Sequence, residues 1–72
     1  MLLREKMETG HFSSSEKIIV DYILKEGTNI QNMTVKEIAK ATYTVPSTLI
    51  RDSKKLNYNG WNDLKEDFTR EC

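Results

Sequence analysis

The chain has 72 residues, 31% of them charged and 38% hydrophobic, and its 11 basic and 11 acidic side chains cancel. That composition fits one small folded domain and excludes a disordered segment. A single cysteine, Cys72, excludes an internal disulfide, and no apolar run approaches the roughly 18 residues of a bilayer span. The opening "MLLREKMETG" is too polar for a signal peptide, so a reduced, cytoplasmic setting without membrane contact is expected. The end at Cys72 leads to the expectation that the chain is part of a longer protein.

The apolar spacing is helical nearly throughout, which predicts an all-α fold: a small bundle of about five helices. Leu3 and Met7, four apart, mark a short first helix over residues 2–8 that Gly10 ends. Ser13 with Glu16 three residues later forms a capping box, in which hydroxyl and carboxylate satisfy two backbone N–H groups at a helix start. The helix that follows carries a polar stripe of Ser14, Lys17, Asp21 and Lys25. Ile18, Ile19, Val20, Tyr22, Ile23 and Leu24 occupy the rest, so wide an apolar surface that this helix is expected at the centre of the core. Gly27 is its expected stop. "TNIQNM" then reads as a link or one helical turn with Ile30 and Met33 pointing inward.

Thr34 and Glu37 make a second capping box, opening a helix that buries Val35, Ile38 and Ala39 and closes at Ala41 or Thr42. "YTV" breaks the chain for about three residues, and Pro46 sits where a helix can start, because its missing N–H is not needed in the first turn. The helix over residues 46–56 is expected to bury Leu49, Ser53 and Leu56. "NYNG" is a turn, and a last helix places Trp61, Leu64 and Phe68 on one side.

Two short helices joined by a turn, the second one basic, form a helix-turn-helix arrangement, with the small Ala39 allowing close approach. In such a unit the second helix lies in the major groove of double-stranded DNA, its N-terminal residues facing base edges. With Leu49, Ser53 and Leu56 inward, Pro46, Ser47, Ile50, Arg51 and Lys54 turn outward, with Thr48 and Lys55 on the flanks. Ser47, Thr48 and Arg51 are placed to reach bases. Arg51 is the strongest candidate, because its fork can take guanine O6 and N7 together. Lys54 and Lys55 suit phosphates, and backbone N–H groups near Thr34 and Pro46 can hold phosphate at the two helix starts. Lys36 and Thr44 complete the candidate set. From Lys36 to Lys65 there are six basic and three acidic residues, a local charge of +3, while residues 1–35 carry −1 and residues 66–72 carry −2. The positive end of this polarity falls on the proposed reading unit.

"SSSEKIIVDYIL", "NMTVKEIAKAT" and "PSTLIRDSKKLNYNGWNDLK" together resemble the N-terminal domain of RpiR-type bacterial transcription regulators, from about Leu3 to Lys65. The resemblance implies a helix-turn-helix domain that regulates sugar-metabolism genes. It also implies a following sugar-isomerase-like (SIS) domain, absent from this chain, that senses a phosphosugar effector and supports a homodimer or higher homo-oligomer. The chain departs from the family in four places: Tyr43 where the inter-helix turn often has Gly, Val45 where the helix cap is often Ser, Asp52 where an apolar residue is usual, and Asn57 where Gly is frequent. Thr44 is expected to take over the cap one residue early, and Asp52 to pair with a nearby Lys or weaken packing.

The remaining features read as structure. The serines at 13–15 have no base partner and are explained by the cap. His11 has no companion at ligand spacing, so no metal is expected. Trp61, Phe68, Tyr22 and Tyr58 are expected in the core, and Asp63, Glu66 and Asp67 on a solvated exterior. No nucleophile–base pair or phosphate-cradling loop appears, so neither an enzyme nor a cofactor is expected. A competing reading makes the chain a protein-interaction module without DNA binding, its seam formed by Leu2, Leu3 and Met7.

Overall fold

The computed structural model describes residues 3–71. Among them are five α-helices and no strand: α1 (Leu3–Thr9), α2 (Ser14–Glu26), α3 (Val35–Ala41), α4 (Pro46–Lys55) and α5 (Trp61–Glu71), with a 3-10 segment, Gly27–Asn32, after α2. The all-α bundle predicted from spacing is therefore the fold.

Both capping boxes form. Glu16 N–H donates to Ser13 Oγ while Ser13 N–H donates to Glu16 Oε1, and Thr34 and Glu37 make the same reciprocal pair. Gly27 ends α2 at φ 58°, and the "TNIQNM" link is the 3-10 turn, with Ile30 fully buried. Two helices end in Schellman turns. At the end of α3, Tyr43 N–H donates to the Lys40 carbonyl and Thr44 N–H to the Ala39 carbonyl. At the end of α4, Asn57 N–H donates to Lys54 and Tyr58 N–H to Ser53. Each turn needs one left-handed residue, and these are Tyr43 at φ 58° and Asn57 at φ 72°.

The core runs through every α-helix and the 3-10 segment: Leu3 and Met7, Ile19, Val20 and Ile23, Ile30, Ile38, Leu49 and Leu56, and Trp61, Leu64 and Phe68. Tyr22 and Tyr58 are half-buried at its edge. Trp61 Nε1–H donates to the Met33 carbonyl, and Glu71 accepts the backbone N–H groups of Leu3 and Arg4, which joins the start of α1 to the end of α5.

Two expectations are corrected here. Ile18 is half-exposed rather than core, because it stacks between Ser14 and Asp21 on the polar stripe of α2. Leu3 and Met7 are buried in this chain's own core, so they offer no seam to a partner; Leu2, the third member of that seam, lies outside the described residues. Among the described residues no helix is long and apolar enough to cross a membrane.

Candidate nucleic-acid interface

The order α3, a four-residue connection, then α4 is the helix-turn-helix, and α3 and α2 both pack against α4. Ala39, buried, lies on the α3 side of that contact. At 100° per residue Ser47, Arg51 and Lys54 share one face of α4, and all three are exposed. The opposite face, Leu49, Ser53 and Leu56, is buried, as the spacing predicts.

The inward face is wider than those three residues. Asp52 lies roughly 60° from the mean direction of the buried trio, and Thr48 is one turn before it. Both are buried, Asp52 at 1% exposure and Thr48 at 4%. Thr48 is thus corrected: its side chain faces the interior and not a base edge. Thr44, half-exposed, does not take over the cap of α4 as expected. Its hydroxyl pairs with the Thr42 hydroxyl at 2.8 Å, and α4 begins at Val45 without a side-chain cap. The remaining candidates, Thr34, Lys36, Pro46, Ser47, Arg51, Lys54 and Lys55, are exposed.

Glu16 organises the basic face from beneath. Its carboxylate is almost wholly buried, and it receives Lys55 Nζ at 3.0 Å on one oxygen and Arg51 Nε at 3.6 Å on the other. The Ser13 backbone N–H and the Lys55 ammonium hold its carboxyl below the usual carboxylate range, against the opposing effect of burial. Lys55 Nζ also lies 5.3 Å from the centre of the Phe12 ring, so this lysine is tied to the fold while Lys54 is not drawn into any such pair among the described residues. Arg51 keeps 66% of its side chain exposed and stays available beyond Glu16.

Asp52 does not pair with a lysine. Neither of its carboxyl oxygens accepts a hydrogen bond from the described residues. Desolvation first, and then the Glu16 carboxylate, push its pKa from 3.8 up to about 7, against the weaker pull of Lys55 and Arg51. Glu16 was legible in the sequence only as a cap. Its partners lie 35 and 39 positions on, and no local pattern announces them. Among the described residues no group of His, Cys, Asp or Glu is arranged to hold a metal ion.

A family model described as "Helix-turn-helix domain, rpiR family" matches residues 1–72. An uncharacterized HTH-type transcriptional regulator of Clostridium perfringens is 33% identical over 73 residues, covering 99% of this chain and 26% of that protein. The fold is also that of a segment of the Vibrio vulnificus NanR protein, solved in complex with ManNAc-6P: TM-score 0.91, 24% identity, 96% of this chain and 27% of that one. The chain thus spans about a quarter of the length of these relatives. With the helix-turn-helix geometry and a match over its whole length, this chain belongs to the rpiR family of helix-turn-helix domains, the DNA-binding class of transcription regulators.

Proposed function

We propose that the domain binds double-stranded DNA in a sequence-specific manner, with α4 in the major groove, as the N-terminal reading head of a regulator of sugar metabolism. The observation that carries this is the outward face of α4: Ser47, Arg51 and Lys54 stand exposed on a helix whose opposite face is anchored in the core. Arg51 reads a guanine, held in place by Glu16. Lys54, Lys55 and Lys36 meet phosphates, as do the backbone N–H groups at the starts of α3 and α4 near Thr34 and Pro46. Thr48 leaves the contact set because its side chain is buried, while Thr44, half-exposed in the turn before α4, stays in it.

The longer relatives support a following effector domain, and NanR, solved with ManNAc-6P, supports a phosphosugar as its ligand. A homodimer in the cytoplasm completes this reading, because a two-fold pair sets two reading helices about one DNA turn apart. Neither a cofactor nor a catalytic step is part of it.

The test is titration of the chain against a duplex selected from a random pool, repeated at rising salt. The logarithm of affinity falls linearly with the logarithm of salt as counterions are released. Arg51→Ala lowers discrimination at one base pair by about 1–3 kcal/mol, whereas Lys54→Ala weakens all sequences alike. Absence of binding at low salt overturns the reading, and an Arg51→Ala variant with unchanged base preference removes Arg51 as reader.

A further inference from the structure

Tyr43 is 96% exposed, and it stands in the turn between α3 and α4 at φ 58°. The two facts conflict with any internal role. A left-handed backbone strains every residue with a Cβ, and glycine meets it at no such strain. The turn itself is closed by backbone groups, the N–H of Tyr43 to Lys40 and that of Thr44 to Ala39, and a glycine at position 43 makes the same bonds. The ring buries nothing, since almost none of its surface is covered. A bulky side chain thus occupies the one position of the turn least suited to it, and the folded domain draws no packing from it.

The surroundings state what it faces. Tyr43 stands three residues before the first residue of α4, and that N-terminal end is the part of a reading helix nearest the bases. Lys40 lies near the end of α3, three residues before Tyr43, and Ser47 and Arg51 lie on α4, all exposed. Val45, two residues on, is 57% exposed. An exposed ring with a hydroxyl donor, in the turn between the helices that carry Lys40 and Arg51, matches one strand of a duplex: the hydroxyl donates to a phosphate oxygen and the ring lies against the sugar.

We propose that Tyr43 is a DNA-contacting residue that presses on the sugar-phosphate strand at the rim of the groove entered by α4. Strain in the turn is retained for that contact. The inference rests on the duplex-binding reading above and adds to it a residue outside the helix.

The experiment measures two quantities on the 72-residue chain: affinity for the selected duplex by fluorescence anisotropy, and the melting temperature without DNA. Tyr43→Gly is expected to bind about 5- to 10-fold more weakly, the size of about one ordinary contact at the rim of the interface. The same variant is expected to melt about 4–8 °C higher, because the strain is gone. Tyr43→Asn, which tolerates the left-handed conformation but has no ring, is expected to bind as weakly as the glycine variant. Tyr43→Phe keeps the strain and the ring and loses only the hydroxyl's share of affinity. A purely structural tyrosine moves stability and affinity downward together. Opposite signs support the proposal. Unchanged affinity in both Tyr43→Gly and Tyr43→Asn overturns it, as does a glycine variant that melts lower. A parent chain that binds no duplex overturns the duplex reading itself, an outcome seen before any variant is compared.

Discussion

Asp52 is the residue whose chemistry is least comfortable in this fold. It is buried without a hydrogen-bond partner among the described residues, and its pKa is pushed up to about 7. The native carboxyl therefore holds a proton that the unfolded chain releases near 3.8. Its contribution to stability is fully present below that value and is lost as pH rises through about 7. Glu16 acts in the opposite sense. Its lowered pKa gives stability that is present above 4.5 and lost as pH falls below it. The range from pH 5 to 7 thus isolates Asp52, and stability is expected to fall across it by on the order of 2–3 kcal/mol. Denaturant melts at several pH values measure this. In Asp52→Asn the slope is expected to vanish, because the amide does not titrate. A parent whose stability is flat or rising from pH 5 to 7 would contradict the buried, proton-holding carboxyl.

Of α2, α3 and α4, the last has the weakest start. α2 and α3 each open on a full capping box, whereas Val45 precedes α4 with no side-chain acceptor to offer. Its backbone is already extended, at φ −113° and ψ 154°, as a capping residue requires, and its side chain is more than half exposed. Val45→Ser therefore adds a hydroxyl acceptor and gives up little packing. It is expected to stabilise the domain by about 1 kcal/mol, measured as a higher denaturant midpoint with unchanged m-value. Equal or lower stability would show that the valine contributes packing its exposure does not suggest.

At the scale of the molecule, α5 closes the bundle. Trp61, Leu64 and Phe68 line its buried side, and Glu71 at its end accepts the N–H groups at the start of α1. Arg4 lies over the Phe68 ring at 5.5 Å, so the first and last helices meet there. Deleting a buried phenylalanine to alanine costs about 3–5 kcal/mol, and a chain of this size holds little more than that. Phe68→Ala is accordingly expected to unfold at room temperature, read as lost helical ellipticity. A variant that keeps a cooperative thermal transition above 40 °C would mean that α1 to α4 fold without the closing helix. The reading unit and the core are thus one body: Leu49 of α4 and Leu56 at its C-terminal cap share a cluster with Phe68.

Local chemistry alone determined most of the elements. Ser13 with Glu16, and Thr34 with Glu37, announce helix starts because a capping box needs only four consecutive residues. Gly27 announces the end of α2 because glycine, without a Cβ, adopts positive φ at no steric cost. The 3.6-residue period likewise marked Leu49, Ser53 and Leu56 as the inner side of α4 and left Arg51 outside. Burial at the margin of that face depended on α2 and α3 lying against α4, and no single-helix pattern encodes how far a neighbour's cover extends. Tertiary packing therefore decided that Thr48 and Asp52 turn inward, that Ile18 stays half in water, and that Leu3 and Met7 join the core instead of a seam. It also decided that the carboxylate read as a helix cap at position 16 sits beneath Arg51 and Lys55. Charges 35 or more residues apart meet only when the chain folds, and the field at the reading face is set by that meeting.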